Sequence, residues 1–278
     1  MSTHLHLVNA PPPHLRIVPT NRLYPHEEHD SQRLIPLIER LRRESVMINP
    51  PIVAPMNADE TDYVVLDGAN RTTAFAELGF PHVLVQIARY ESPFVQLQTW
   101  HHVVCAWDFE PFTAHVREIP QITMTHEAHS STPLATLRTR DSGEWHIETT
   151  AIDPGSRNHA LVRFVSVYQR HAVLHRTTLN DPEKVWATYD DGIILITFPP
   201  YHPTDVITAA RERAFIPPGI TRHIIQGRAL RVNYPLDLLS DPETTLDAKN
   251  RQLDRWFHHK IDARQMRYYA ESTYQFDE

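Results

Sequence analysis

Residues 63–74 read Tyr-Val-Val-Leu-Asp-Gly-Ala-Asn-Arg-Thr-Thr-Ala, and this stretch decides the fold. Its β-branched and apolar first half, residues 63–66, is typical of a buried strand, which ends abruptly at Asp67-Gly68. A helix is predicted from about Asn70 to Leu78, with Gly79 at the position that a C′ glycine takes. A second strand is predicted over residues 83–87, so residues 63–87 form one strand–turn–helix–strand unit.

The turn after the first strand has the features of an anion site. The first turn of a helix presents unpaired N–H groups and the positive end of the helix dipole. Gly68 permits close approach of a phosphate to the backbone, and Arg71 offers a forked donor to its oxygens. The alternative, in which Asp67 only caps the helix and Arg71 is a solvated helix residue, stays open from the local pattern alone.

Composition sets limits on the function. The chain has 278 residues with a net charge of −7 and a pI of about 6.2, which weighs against a broadly basic nucleic-acid binder. Cys105 is the one cysteine, so no intrachain disulfide can form. Since no signal pattern and no apolar run of about 20 residues is present, we expect a cytoplasmic protein with no membrane partner.

The remaining elements are predicted from hydrophobic periodicity. Helices are expected over residues 31–43, over 92–106 with Trp100 and His102, over 158–170, and at the C-terminus after a capping box at residues 240–243. Strands are expected at residues 52–53, 122–126, 145–152 and 192–196. A boundary near residue 90 then gives a flexible tail at 1–14, a domain at 15–90 and a larger mixed α/β domain at 91–278 that ends in the terminal helix.

Three further segments could carry chemistry. The acid and histidine cluster at residues 26–30 could supply a general base or metal ligands, although acids are also common at helix N-termini. For residues 99–102 a helix around a core tryptophan is favoured over a chemical role, whereas residues 218–223 fit a plain turn as well as a loop that binds a carboxylate or phosphate. No zinc-binding spacing is present, and the single cysteine argues against a thiolate zinc site.

Taken together, these segments resemble a known family. Residues 63–78, with Val-Leu-Asp-Gly-Ala-Asn-Arg at 65–71, look like the signature box of the ParB/sulfiredoxin-like superfamily. Leu23 to Glu27, Trp100 with His102, residues 122–126, and residues 218–222 with Gly227-Arg228 follow in the order found in free L-serine kinases of siderophore clusters.

The resemblance implies a fold and an activity. It implies an α+β fold, in which a ParB/sulfiredoxin-like nucleotide-binding domain joins a larger mixed α/β domain with the active site in the cleft between them. It also implies transfer of a phosphoryl group from ATP or ADP, with ATP preferred, to the hydroxyl of free L-serine. Mg²⁺ is the expected cofactor, and siderophore biosynthesis is the expected pathway.

The resemblance also assigns roles to residues of this chain. The catalytic residues are Glu27, as general base, and Asp67, which is also the Mg²⁺ ligand or an organiser of the nucleotide site. The nucleotide-binding residues are Gly68, Asn70, Arg71, Thr72 and Thr73. The substrate-binding residues are Trp100, His102, Thr221 and Arg222. Asn70 departs from the histidine that is frequent in the family, which changes a group that can be charged into a neutral donor.

Two alternatives belong to other functional classes. One is a ParB-like, DNA-binding transcriptional regulator, although the net charge of −7 and the substrate-like loop before Arg222 argue against it. The other is a nucleotide-dependent switch or a hydrolase that needs no acceptor. The 19 histidines also leave binding of haem or a metal open without a located site. The oligomeric state is not predicted.

Overall fold

The structure is a computed structural model that describes residues 12–29, 31–141 and 143–269. The strands are β1 His14–Pro19, β2 Leu23–Pro25, β3 Val46–Met47, β4 Ile52–Pro55, β5 Tyr63–Asp67, β6 His82–Ile87, β7 Val95–Thr99, β8 His101–Cys105, β9 Ile122–Thr125, β10 Ala135–Thr139, β11 Glu144–Thr149, β12 Val173–Thr177, β13 Gly192–Thr197, β14 Thr221–Ile225 and β15 Tyr234–Pro235. The helices are α1 Ser31–Arg43, α2 Ala69–Glu77, α3 Phe109–Arg117, α4 Pro154–Gln169, α5 Pro182–Thr188, α6 Pro203–Glu212, α7 Asp237–Ser240 and α8 Leu246–Asp262, with a 3₁₀ turn at Thr20–Arg22. Among these described helices, none combines the length and the apolar character that a bilayer crossing requires.

The chain forms two compact units, each assembled from separate stretches of sequence. Among the described residues, the first unit comprises residues 12–23, 31–95 and 225–269, and the second comprises residues 24–29, 96–141 and 143–224. Both units mix helices and sheets, as the expected α+β class requires.

The first unit is built on a five-stranded sheet with the order β1-β6-β4-β5-β2, whose first four strands lie wholly in this unit. β1 pairs antiparallel with β6, β4 pairs parallel with β6, and β5 returns antiparallel beside β4. α2 buries Ala74 and Phe75 in the core of this unit, together with apolar residues of β1, β5 and β6. The predicted strand–turn–helix–strand unit at residues 63–87 is therefore confirmed, and it brings Asp67 to the end of a buried strand.

The second unit is built on a six-stranded sheet with the order β12-β8-β13-β10-β11-β9. Its strand pairs are antiparallel throughout. β8 lies between the edge strand β12 and β13 and is buried along its whole length. β7 and β14 pair in a separate two-stranded sheet, which carries Thr221 and Arg222.

The units depart from the predicted domains in two places. The C-terminal stretch, assigned by sequence to the larger domain, packs in the first unit, because Asn250 of α8 accepts a hydrogen bond from Ile17 N (2.9 Å) and donates one to Ile17 O (2.9 Å). The segment around Glu27 belongs to the second unit, since Ile216 N donates to His26 O (2.9 Å). Residues 1–11 of the predicted tail lie outside the described residues, and His14 already belongs to β1.

Two predicted elements are wrong. Residues 92–106 form strands β7 and β8 rather than a helix, and the β-branched pair Val103-Val104 in the buried strand β8 favours that outcome. The predicted capping box at residues 240–243 does not start the terminal helix. Ser240 ends α7, while Thr245 caps α8 by accepting a hydrogen bond from Ala248 N (3.3 Å).

Candidate active site

The turn between β5 and α2 requires a glycine. Gly68 has a φ of 101° and stands at the N-cap of α2, where no side chain makes a capping hydrogen bond. A methyl group added to Gly68 would lie 3.0 Å from two guanidinium nitrogens of Arg71 and 3.2 Å from the Cα atom of Pro51. Backbone conformation and space both disfavour a larger residue, and the Arg71 side chain lies directly over the turn.

Asp67 binds two arginines instead of capping the helix. Arg71 Nη2 donates to Asp67 Oδ2 (2.9 Å), and Arg228 Nη2 donates to the same oxygen. The side chains of these arginines are partly exposed, at 20% and 35%. Two guanidinium charges against one carboxylate leave a net positive charge beside the N-terminus of α2, which favours an anion. We call Asp67, Gly68, Arg71 and Arg228 the Asp67 cluster.

Gln86 positions the segment that carries Arg228. This glutamine is buried in β6, where it donates Nε2–H to Gly227 O (2.9 Å) and accepts from Ala229 N (2.8 Å) through Oε1. The side-chain amide of Gln86 therefore holds the backbone through hydrogen bonds on both sides of Arg228. The resemblance includes Gly227-Arg228 but assigns Arg228 no role, and the signal in the sequence that points to this contact is a polar residue within the apolar strand at residues 83–87.

The hydroxyls of the two threonines in α2, which are predicted to bind nucleotide, already make hydrogen bonds within the helix. Thr72 is buried, and the hydroxyls of Thr72 and Thr73 donate to the carbonyls of Gly68 (3.1 Å) and Ala69 (3.0 Å). The first intrahelical bond runs from Thr72 N to Gly68 O (2.9 Å), so the N–H groups ahead of it lie at the positive end of the helix. Asn70 belongs to this half-buried first turn.

Glu27 lies in a second cluster, within the second unit. Its carboxylate accepts a hydrogen bond from Gly219 N (3.3 Å), and its backbone bridges to Ile216. The neighbouring His26 is buried and shares a hydrogen bond with the Thr221 hydroxyl (2.8 Å). These contacts fix the segment on both sides of the acid. We call His26, Glu27, Gly219 and Thr221 the Glu27 cluster.

His102 supports the Glu27 cluster from beneath rather than facing a ligand. Its ring is fully buried, and burial lowers the pKa of His102 to about 4, so the ring is neutral near pH 7. Its Nε2 lies 3.2 Å from Gly219 O, which can only accept, so Nε2 carries the proton. Nδ1 then accepts from the Tyr168 hydroxyl (2.7 Å). The predicted direct substrate contact is not available to this side chain, and its bond to Gly219 positions the residue whose N–H faces Glu27.

Arg222 and Trp100 lie together at the start of β14. The Arg222 guanidinium carbon is 4.3 Å from the centre of the Trp100 ring, and Arg222 Nη1 donates to Gln98 Oε1 (3.5 Å). Trp100 N donates to Ile220 O (2.8 Å), which ties the tryptophan to the loop that contains Gly219. The predicted substrate residues Trp100, Thr221 and Arg222 are thus brought to one end of the two-stranded sheet.

Arg176 is a charged neighbour that sequence reasoning missed. Gly219 has a φ of +80°, and a methyl group on it would lie 2.1 Å from the guanidinium carbon of Arg176. This guanidinium therefore lies flat against the Gly219 backbone. Arg176 is in β12, directly opposite His102. Only the fold joins these positions, so no local pattern could have indicated Arg176.

Comparison with known proteins places these clusters in context. No protein-family model matches the chain. The chain is 25% identical over 272 residues to the ATP-dependent L-serine kinase SbnI of Staphylococcus aureus, covering 94% of this chain and 96% of that protein. It is 36% identical over 88 residues to the ATP-dependent L-serine kinase of Staphylothermus marinus, which covers 32% of this chain and 34% of that protein.

Solved structures show the same fold. C-terminally truncated SbnI from Staphylococcus aureus superimposes with a TM-score of 0.68 at 23% identity, covering 90% of this chain and 97% of that one. A free serine kinase in complex with AMP superimposes with a TM-score of 0.71 at 13% identity, covering 84% of this chain and 97% of that one. The resemblance to free L-serine kinases is therefore confirmed, since the chain is similar to such a kinase over nearly its whole length and has the fold of the solved serine kinases.

Proposed function

We propose that this chain is an ATP-dependent kinase that phosphorylates free L-serine to O-phospho-L-serine. The observation that carries the proposal is the similarity to an ATP-dependent L-serine kinase over 94% of the chain, which includes both clusters. The relatives reported above are named as kinases, which favours the kinase over a ParB-like DNA-binding regulator or a nucleotide-dependent switch. Their ATP dependence also supports ATP over ADP as the donor.

The Asp67 cluster is the proposed site for the nucleotide phosphates. Arg71 and Arg228 supply two guanidinium groups beside the N-terminus of α2, and phosphoryl transfer depends mainly on positioning and on neutralising the phosphate charge. Asp67 organises this site by holding both guanidiniums through one oxygen. The Thr72 hydroxyl contributes to the turn of the helix instead of to the ligand.

Mg²⁺ fits the cluster through a single carboxylate. Mg²⁺ usually binds one or two protein carboxylates together with substrate phosphates. Both arginines bind Asp67 through Oδ2, so Oδ1 is the oxygen proposed as ligand. When bound, the ion neutralises phosphate charge during the transfer.

Glu27 is the proposed general base. The serine hydroxyl oxygen attacks the γ-phosphorus of ATP and a new P–O bond forms. The bond from that phosphorus to the β–γ bridging oxygen breaks, and ADP leaves with the bonding electron pair. The hydroxyl proton passes to the Glu27 carboxylate, which Gly219 N orients through its hydrogen bond.

The serine itself is proposed to bind beside the Glu27 cluster. Arg222 pairs with the serine carboxylate while Trp100 holds the guanidinium plane by stacking. The Thr221 hydroxyl is proposed to contact the serine, and its hydrogen bond with His26 orients it. His102 and Arg176 act on either side of Gly219 and set the position of its backbone. Use of the product in siderophore biosynthesis stays a prediction of the resemblance.

One incubation tests the proposal. The protein is mixed with L-serine, Mg²⁺ and either ATP or ADP, and O-phosphoserine is measured by phosphorus NMR. We expect serine-dependent product with ATP, and Glu27→Gln should lower turnover by about 10²–10⁴-fold while nucleotide binding is unchanged. Glu28 is the exposed neighbour, so Glu28→Gln is the matched control and should keep full turnover.

Two outcomes would count against these assignments. Turnover near the wild-type value in Glu27→Gln would remove Glu27 as the base. Absence of phosphoserine with both nucleotides, despite measurable nucleotide binding, would favour a switch or a DNA-binding regulator. A gel-shift assay at two salt concentrations then separates these two, since DNA binding weakens steeply with salt.

A further inference from the structure

Three metal-binding side chains meet at one end of the six-stranded sheet, apart from both clusters described above. Cys105 ends β8, His175 lies in β12, and Asp191 immediately precedes β13. One ligand atom from each, a sulfur, a ring nitrogen and a carboxylate oxygen, lies within 4.8 Å of the other two. Within the part of the chain that the structure describes, no other group of three or more histidine, cysteine, aspartate or glutamate side chains brings its ligand atoms within 4.8 Å of one another.

The strand register explains the convergence. β8 lies between β12 and β13, and Cys105 is paired with Val173 on one side and Gly192 on the other. His175 is paired with Val103, which points to the same face of the sheet as Cys105 because the two are two residues apart in one strand. His175 and Cys105 therefore share a face, and the turn before Gly192 brings Asp191 to the same place.

The turn that carries Asp191 is fixed from outside. Arg140 donates Nε–H to Gly192 O (2.7 Å), and its Nη2 donates to Tyr189 O (2.7 Å) and Asp190 O (2.6 Å). A methyl group on Gly192 would lie 2.8 Å from Val103, so this close approach of the turn to β8 needs a glycine. The His175 ring stacks on Tyr189 at 5.3 Å between centres, which orients the imidazole beside the turn.

We propose that Cys105, His175 and Asp191 bind a thiophilic divalent cation, with Zn²⁺ as the chemical type. A thiolate, an imidazole and a carboxylate are the ligand set that Zn²⁺ accepts, whereas Mg²⁺ prefers oxygen ligands alone. The thiolate and the carboxylate balance the two charges of the cation, and the thiol proton is released to solvent on binding. Cys105 is buried while Asp191 is exposed, so the ion enters from the side of the turn and keeps a water ligand there.

Sequence spacing argued against this site. Local zinc motifs place two ligands within a few residues, and a single cysteine makes a thiolate-rich site impossible. Here the three ligands come from two different strands and a turn. Cys105 and His175 are 70 positions apart in the sequence. The fold alone brings them together, and one thiolate is enough when a histidine and a carboxylate complete the set.

Cobalt substitution tests the proposal with a readout specific to this site. Co²⁺ replaces Zn²⁺ in such sites, and a thiolate ligand gives an intense sulfur-to-cobalt charge-transfer band in the near ultraviolet. Because the chain has one cysteine, that band can arise only from Cys105, whatever the other 18 histidines bind. We expect the chelator-treated protein to develop the band with one equivalent of Co²⁺, and one equivalent of Zn²⁺ to abolish it.

The variants separate the site from adventitious binding. His175→Ala and Asp191→Asn change partly or fully exposed residues, so they leave the fold intact while each should weaken metal binding by at least about 10-fold. Asp190→Asn, at the exposed residue next to Asp191, is the matched control and should bind Co²⁺ like the wild type. Absence of the charge-transfer band in the wild type would overturn the proposal, as would a band of unchanged affinity in both His175→Ala and Asp191→Asn.

Discussion

Gly68→Ala should damage both the stability and the nucleotide site, and the structure separates the two effects. At a φ of 101° an alanine is strained by about 1–2 kcal/mol. The added methyl group would also lie 3.0 Å from the Arg71 guanidinium, a flexible group that can move, and 3.2 Å from Pro51 Cα, which is backbone. We therefore expect a loss of about 1–3 kcal/mol in the free energy of unfolding, together with displacement of Arg71 from Asp67.

Gly79→Ala is the matched control for the backbone effect. Gly79 also has a positive φ, of 73°, but a methyl group there meets no atom within 4 Å. Its cost is the backbone strain alone, about 1 kcal/mol, and it leaves Arg71 in place. Urea unfolding gives the two stability changes, and calorimetric titration with ATP gives the two dissociation constants.

The dissociation constant for ATP decides whether the turn at Gly68 belongs to the nucleotide site, because it should change in only one of the two variants. Loss of one charge-assisted contact to phosphate, worth roughly 1.4 kcal/mol or more, raises the dissociation constant for ATP about 10-fold in Gly68→Ala. Gly79→Ala should bind ATP like the wild type. If Gly68→Ala bound ATP with wild-type affinity while losing stability, the turn would be structural only, and Arg71 would have no place in the nucleotide site.

Further predictions concern three residues outside this turn. Arg228→Ala should weaken ATP binding about 10-fold because it removes one of the two guanidiniums on Asp67, whereas Arg231→Ala, at an exposed neighbour, should not; equal affinities would contradict the role of Arg228. Asn250→Ala should lower the free energy of unfolding by about 1–3 kcal/mol in urea titration, since it leaves Ile17 N–H and C=O without their partner; a change below 0.5 kcal/mol would show that α8 does not depend on this clasp. The pKa of His102 is about 4 in the folded chain against 6.5 unfolded, so unfolding takes up a proton and stability falls as the pH drops from about 6.5 to about 4. His102→Gln should lose stability less steeply across that window, and an unchanged slope would contradict a neutral, buried His102.

The part of the fold that the sequence predicts is the part held together by local contacts. The unit at residues 63–87 was readable because a buried strand, a glycine turn and a short helix each have a local signature. The apolar positions of residues 92–106 fit a helix as well as a strand, and only the pairing of β8 with two neighbouring strands selects the strand. The C-terminal helix was recognised, yet its place in the first unit depends on Asn250 reaching a strand 233 positions away.

In the candidate site, too, residues that are close in the sequence can be predicted together, whereas residues that only the fold brings together cannot. Asp67, Gly68 and Arg71 lie within five residues, so the resemblance could indicate them together, and the structure shows Asp67 paired with Arg71. Arg228 contacts Asp67, and Arg176 contacts Gly219, only through the fold, so the resemblance includes Gly227-Arg228 without assigning Arg228 a role, and no local pattern points to Arg176. His102 is predicted to contact the substrate, whereas the structure buries its ring against Gly219 O, because a sequence does not show whether a histidine faces a ligand or supports a loop from the core.

Scarcity makes the glycines of this chain informative. There are seven, and four of them have a positive φ: Gly68, Gly79, Gly219 and Gly227. Gly79 ends a helix, whereas each of the other three stands beside an arginine or an acid of a cluster: Gly68 beneath Arg71, Gly219 between Glu27 and Arg176, and Gly227 before Arg228. A chain that otherwise avoids glycine has it where backbone must approach charged groups closely. At Gly68 and Gly219 the missing side chain leaves space that a guanidinium group fills, and these guanidinium groups are part of the proposed binding of phosphate and carboxylate groups.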